Sequence, residues 1–280
     1  MILVTGASGT VGSELVRQLQ AAGARYKAAY HSAEKAGKAR GAGIDAVVLD
    51  YDKPETLPPA LKGADTVFLL STLVAPELSV VREAKAAGVS RIVKQSVWGA
   101  GEEAFSFAKW HRPLERAIEE SGLRWTFLRP NGFMQNVVNF MGATIKGQGA
   151  IYQPAGDARI SHIDVRDLAR VAVKVLTGSG HDGKAYELSG PAGITYGEVA
   201  ATLSKVLGRE VRYVPITPEQ YKQGALGAGI PEPYADALVD LTRYYREGHA
   251  SRVSPAVKEI TGWEPIGFEQ FARDHAAALR

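Results

Sequence analysis

The sequence predicts an α/β fold, a doubly wound parallel sheet with a smaller α/β lobe at its C-terminal side. Three observations predict it. The chain opens on a β-branched run, Ile2 to Val4. Glycines follow at Gly6, Gly9 and Gly12, and then Val11, Leu15, Leu19 and Ala22 recur at helical spacing. Short apolar runs alternate with helical patterns as far as Pro130, which is the pattern of strands joined by crossover helices. Gly23, Gly63, Gly88 and Gly122 stand where those helices should stop, at the left-handed position that ends many helices. A strand, a glycine turn and a helix start form the first unit of a Rossmann-like sheet.

Taken in order, strands are expected at 2–5, 25–30, 45–49, 65–70, 90–95 and 124–128. Helices are expected between them at 11–22, 33–40, 55–61, 77–87 and 103–120. Beyond Pro130 the pattern loosens. It predicts a helix over 131–146, a strand over 158–163, a helix over 164–176 and a strand over 184–188. Thr195 and Glu198 have the spacing of a capping box and start a helix to about 207. A strand over 210–215 and proline-interrupted helices complete the chain. Residues 1–130 thus form a nucleotide-binding domain, joined by 158–188, and 131–280 form a smaller, discontinuous substrate lobe.

Composition narrows the partners. The chain has 280 residues, 45% hydrophobic and 22% charged, with net charge +3. No run of like charges marks a nucleic-acid or membrane surface. The absence of cysteine excludes disulfides, thiolate metal sites and a cysteine nucleophile. The histidines are scattered without metal-ligand spacing, so no metal is expected. With a strand at the first residues and no membrane-length apolar stretch, a cytoplasmic setting is expected. A small molecule is the expected partner, and a homodimer is left open.

The opening loop is the expected phosphate cradle. Gly6, Ser8, Gly9, Thr10, Val11 and Gly12 would offer backbone N–H groups and a helix N-terminus to a pyrophosphate. This loop, the segment 125–130 with the following Asn131 to Asn136, and the run 163–169 together resemble the NmrA-like branch of atypical short-chain dehydrogenases/reductases. The resemblance covers most of the chain. It implies a Rossmann-like fold and one of two functions, an NAD(P)H-dependent reductase of quinones or triphenylmethane dyes, or a nucleotide-sensing regulator without turnover. A carbonyl reductase or isomerase using a displaced acid, such as His111 or Tyr152, is a third reading.

Nucleotide choice depends on the end of the second strand. An NAD site places a carboxylate there for the ribose hydroxyl. Here the chain reads Tyr30-His31-Ser32, with Lys35 beyond. His31 stands where the resemblance implies an arginine for the 2′-phosphate, so NADPH is favoured and NADH is left open. Asp50 and Tyr51 follow the third strand, at the expected adenine contact; Asp50 reads equally as a turn cap. Ser71, Thr72 and Leu73 follow the fourth strand, beside the expected ribose.

For the chemistry, the resemblance implies a serine and a Tyr/Lys pair four apart on a helix. Ser96 ends the fifth strand and matches the serine. Lys109 is assigned as the lysine at the nicotinamide ribose, with Phe105 in the tyrosine position. A phenyl ring supplies no proton, which points to acceptors that are protonated by water. Pro113 is expected to kink this helix and turn His111, an alternative proton donor. Asn131 and Phe133 lie at the sheet's carboxyl edge and are expected to meet the nicotinamide. Trp98, Phe133, Met134 and Tyr152 are the expected walls of an apolar acceptor pocket.

Overall fold

Ile2, Leu3 and Val4 are all buried because this first strand lies at the middle of a seven-stranded sheet. The computed structural model describes residues 1–71 and 76–280. Its first half runs β1 (Ile2–Val4), α1 (Thr10–Ala21), β2 (Tyr26–Tyr30), α2 (Ala33–Gly41), β3 (Ala46–Val48), α3 (Leu57–Leu61), β4 (Thr66–Leu69), α4 (Glu77–Ala86), β5 (Arg91–Gln95), α5 (Ser106–Glu120) and β6 (Arg124–Pro130). The second half runs α6 (Gln135–Asn139), α7 (Gly142–Gln148), β7 (Ala150–Gln153), α8 (Val165–Thr177), β8 (Lys184–Leu188), α9 (Tyr196–Leu207), β9 (Arg212–Pro215) and α10 (Pro218–Gly227). It ends with α11 (Glu232–Arg246), α12 (Ala256–Thr261), α13 (Phe268–Asp274) and α14 (Ala276–Leu279).

The main sheet has the order β3-β2-β1-β4-β5-β6-β8, every pair parallel. This is the expected Rossmann-like arrangement. Val4 pairs with Ala28 on one side and Phe68 on the other, so the strand order reverses at β1. Ligands of such sheets bind at the carboxyl edge beside that reversal. Apolar layers cover both faces. Leu15 and Leu19 of α1 pack with Leu168 and Val171 of α8 on one face, and Leu61, Val80, Leu114 and Ile118 pack on the other. A third apolar cluster fills the lobe, around Val199, Leu203, Tyr245 and Phe271.

The expected glycine stops hold: Gly23, Gly63, Gly88 and Gly122 all have positive φ. Asp164 caps α8 by accepting the Arg166 N–H, and Thr195 and Glu198 close the capping box of α9. β8 joins the main sheet beside β6. Three expectations need correction. Residues 158–163 do not form a strand, because Ile160 and Ile163 each pair with a single loop residue, Ile194 and Phe133, and no ladder develops. The stretch 131–146 divides into α6 and α7. α5 begins at Ser106 because Glu103 adopts φ of 51°, which helical backbone does not permit. The lobe also holds β7, paired parallel with β9, which the glycines before Ala150 hid in the sequence.

Candidate functional site

The three glycines of the opening loop do different work. Gly6 has φ of +63°, and a Cβ there would approach the Leu70 carbonyl oxygen to 2.9 Å. A Cβ on Gly12 would lie 2.1 Å from the Gly6 oxygen, so Gly12 lets α1 pack against the loop. It is not part of the cavity wall. Gly9 is, and a Cβ there would meet nothing closer than 3.4 Å. Gly9 is also the N-cap of α1, and no side chain caps that helix. Its first-turn N–H groups are therefore available to an anion. Gly6, Ser8, Thr10 and Val11 complete this end of a cavity of about 750 Å³.

Beyond the loop the wall is formed by His31, Asp50, Tyr51 and Asp52. Asp50 is buried and accepts the Asp52 N–H at 3.1 Å, which is its turn-capping role. Its carboxylate also lies 3.1 Å from Lys53 Nζ and 3.7 Å from His31 Nε2. Lys53, with that N–H, holds the Asp50 carboxyl below the usual range. Lys35 is corrected: it is exposed on α2, off the wall, and its N–H donates to the Ser32 cap. The sequence reading missed Lys53, whose only signal was its position three residues after Asp50. Tyr51 donates to the Leu70 carbonyl, and burial pushes its phenol far up. Ser71 lines the cavity; Thr72 and Leu73 lie outside the described residues.

The carboxyl ends of β5 and β6 form the middle of the cavity, with Gln95, Ser96, Asn131, Gly132 and Phe133 on its wall. Asn131 Nδ2 donates to Ser161 Oγ and the Ala250 carbonyl, both at 2.9 Å, and Oδ1 accepts the Gly132 N–H. This side chain is a strut tying β6 to the lobe, so a ligand would meet backbone here. Gly132 is crowded: a Cβ would lie 3.0 Å from both His162 Nδ1 and the Tyr245 hydroxyl. His162 is structural, its ring against Tyr196 and its pKa pulled down to about 4 by burial.

α5 changes the chemical assignment. Lys109 is exposed and does not reach the cavity; Phe107 and His111 do. These two are four apart, so the face turned to the site is displaced by two residues from the expected Phe105/Lys109 pair. The physical reason is a clamp one turn further on. Glu115, fully buried, takes a bidentate ion pair from Arg129 on β6, at 3.0 and 2.7 Å. That contact sets the rotation of the helix about its axis, and 107, 111 and 115 share one stripe. Pro113 lies inside α5, which continues through it as one helix. Burial, with the positive charge of Lys94, holds the His111 imidazole well below its usual pKa. A neutral imidazole is a poor proton donor.

Of the buried polar side-chain atoms without a hydrogen-bond partner among the described residues, three belong to this wall: Gln95 Oε1, Ser96 Oγ and His111 Nδ1. Buried polar atoms are normally satisfied. Together with the uncapped helix and the open space over Gly9, they fit a polar, phosphate-bearing ligand such as a nicotinamide dinucleotide.

The far end is apolar and aromatic. Trp98 lines it as expected, and Phe105 contributes with its ring 4.4 Å from that of Tyr244. Leu238, Leu241, Tyr244 and Tyr245 of α11 form the opposite wall. The sequence reading placed them only within proline-interrupted helices, with nothing to tell cavity from core. Burial pushes the Tyr244 phenol up to about 12 and that of Tyr245 further. Trp98 is anchored by its Nε1 donating to the His249 carbonyl and by the Arg252 guanidinium 4.7 Å over its ring. Two expected wall residues are corrected. Met134 is buried in the lobe core off the cavity, and Tyr152 turns its hydroxyl to Gln148. Phe140, 73% exposed, stands at the mouth.

Comparison with known proteins agrees with this geometry. The chain is 40% identical over 284 residues to the NAD(P)H azoreductase of Xenophilus azovorans, covering 100% of this chain and 99% of that protein. Its structure superposes on the NADPH-dependent quinone oxidoreductase of Escherichia coli complexed with NADPH. The TM-score there is 0.88 at 27% identity, over 98% of this chain and 99% of that one. The triphenylmethane reductase of Citrobacter sp., complexed with NADP(H), gives 0.85 at 28% identity, again over 98% and 99%. The NmrA-like family model matches residues 1–271. On the fold, the site and this match, which spans nearly the whole chain, the protein belongs to the NmrA-like family.

Proposed function

We infer that the protein is an NAD(P)H-dependent reductase that passes hydride to a quinone, a dye or another conjugated aromatic acceptor. One observation carries this reading. A cavity joins an uncapped helix N-terminus to an aromatic chamber, and among the described residues lining it His111 is held well below its usual pKa and the Tyr244 phenol is raised to about 12, so neither is a ready acid at neutral pH. The reductase activities named for the relatives support the same class.

The residues have separate tasks. The loop from Gly6 to Val11 would hold the pyrophosphate on N–H groups of α1. His31 on the wall, with Lys53 neutralising Asp50 behind it, would favour the 2′-phosphate of NADPH over the hydroxyl of NADH. Ser71, Ser96 and the backbone at Asn131 would seat the nicotinamide end, with Phe133 beside it. The bound nicotinamide supplies the hydride. Trp98, Phe105, Phe107 and Leu241 would exclude water and align a flat acceptor. Acid supply then selects the acceptor. A cationic dye that gains a hydride becomes neutral and needs no proton. A quinone that gains a hydride becomes a stabilised hydroquinone anion, which water can protonate. A simple ketone would become an alkoxide, which needs a proton as it forms. The displaced-acid reading loses its support, because Tyr152 is off the cavity and His111 is neutral. The open chamber favours turnover over sensing.

The test is NADPH and NADH oxidation followed with a panel of benzoquinones, triphenylmethane dyes, azo compounds and simple ketones. Turnover of quinones or dyes above background, with ketones inert and NADPH preferred, is the expected result. Reduction of none of them, or of ketones best, would remove the reading.

A further inference from the structure

A fully buried ion pair lies behind the cavity wall. Lys94 Nζ on β5 is 2.6 Å from Glu77 Oε2 at the start of α4, with side chains 0% and 1% exposed. Such a pair gives back little net stability, since desolvating both charges offsets their attraction. Both ends instead reach groups that line the cavity. Glu77 Oε1 accepts from the Ser71 hydroxyl at 3.0 Å, and Ser71 is on the wall. Ser71 in turn shares a hydrogen bond with Tyr51. Lys94 donates to the Gln95 carbonyl at 2.8 Å, next to Ser96. Lys94 is also the charge that acts on His111, with Glu77 bound behind it.

We propose that Lys94 and Glu77 are positioning residues of the reductase site. The pair holds the Ser71 hydroxyl and the Gln95–Ser96 backbone in fixed places on the wall where nicotinamide and acceptor would meet. The inference rests on the cavity being that site. Glu77 accepts the Ser71 proton and so sets the direction of that hydroxyl on the wall. Burial, with the Lys94 charge adding to it, disfavours the charged imidazole of His111, so that ring presents one N–H and one lone pair. α4 contributes its own end to the arrangement, since a carboxylate in the first turn is favoured by the helix dipole. From α11 the facing groups on the cavity are the phenols of Tyr244 and Tyr245, both held uncharged by burial.

Two paired variants separate this role from plain structure. Glu77→Gln with Lys94→Met removes both charges and keeps the volume. Glu77→Lys with Lys94→Glu keeps an ion pair but puts a carboxylate beside His111. A merely structural pair would be rescued by the swap. Positioning predicts the opposite: in both variants kcat with a benzoquinone falls tenfold or more, and KM for NADPH rises severalfold. The readout independent of turnover is the His111 ring signal in NMR, assigned with His111→Gln. It should titrate well below 6.5 in the wild type, move back toward 6.5 in the neutral pair and rise higher in the swapped pair. Wild-type kcat and an unmoved His111 titration in a folded neutral pair would overturn the proposal, as would full recovery in the swap. Two further measurements do not depend on either pair folding. Ser71→Ala should weaken NADPH binding about fivefold, and wild-type His111 should stay uncharged at pH 6; failure of either overturns its half. If no acceptor is reduced by the wild type, the reductase reading fails, while the titration and the binding measurement still judge the pair.

Discussion

A single methyl group at Gly12 would have to occupy space 2.1 Å from a backbone oxygen. Backbone cannot step aside as a side chain can. Gly12→Ala should therefore destabilise the protein by about 1–3 kcal/mol, the usual penalty for overpacking. Gly9→Val faces open cavity instead and should fold normally while losing nucleotide affinity. Thermal melting and a nucleotide titration on each variant check the contrast; equal behaviour of the two would contradict it. Both glycines were legible in the sequence, but their division of labour was not, because spacing does not show which way a Cβ points. His111 gives a second case. Its residue type was legible, and its neutral state came from burial and from Lys94, which are tertiary facts. Phe107→Tyr would place a phenol beside it, on the helix face that looks into the cavity, and should add low-level carbonyl reduction. Lys109→Ala should behave as wild type. If Lys109→Ala instead loses nucleotide affinity, the register read from α5 is wrong.

At the scale of elements, α5 and α11 both line the aromatic end of the cavity. Leu241→Ala should raise acceptor KM severalfold and leave NADPH affinity unchanged, because Leu241 stands at the end of the cavity away from the glycine loop. An equal effect on NADPH would place the acceptor elsewhere. The loop that carries Trp98 is tied differently. The Gly99 N–H donates to the Glu187 carboxylate of β8 at 3.3 Å, with Arg129 and Arg252 each 3.8 Å away. Burial nevertheless pushes the Glu187 pKa up to about 7. The helical character of the region holding α11 was readable from the sequence. Its use as a cavity wall was not, because an apolar residue looks alike whether it faces core or ligand. α5 shows the same limit: helical spacing gave its faces, while the Glu115–Arg129 clamp selected which face looks inward.

For the whole molecule, opposing titrations shape stability against pH. His162 has its pKa lowered to about 4 in the folded state, and His111 is lowered as well. The unfolded chain binds those protons first, so stability is full above pH 6.5 and is lost as pH falls toward 4. Glu187 works the other way: raised to about 7, it contributes stability that is full below 4.5 and is lost as pH rises through 7. His181 is lowered too and Asp167 raised, so histidines oppose carboxyls, and each tenfold difference in proton affinity between folded and unfolded chain is worth about 1.4 kcal/mol. Stability should thus decline from pH 6.5 to 4.5, and Glu187→Gln should steepen that decline, as urea unfolding across this range will show. A flat profile in both proteins would contradict the assignment. The sequence by itself determined the α/β winding, the glycine loop, the helix stops and the family, because each is written in neighbours along the chain: strand and helix periods, caps and turn glycines. Only the tertiary structure decided the aromatic wall of the cavity, the inward face of α5, the Asn131 strut and the Lys94–Glu77 pair. Each of these joins residues far apart in sequence, and the rotation and burial that join them come from packing whole elements together.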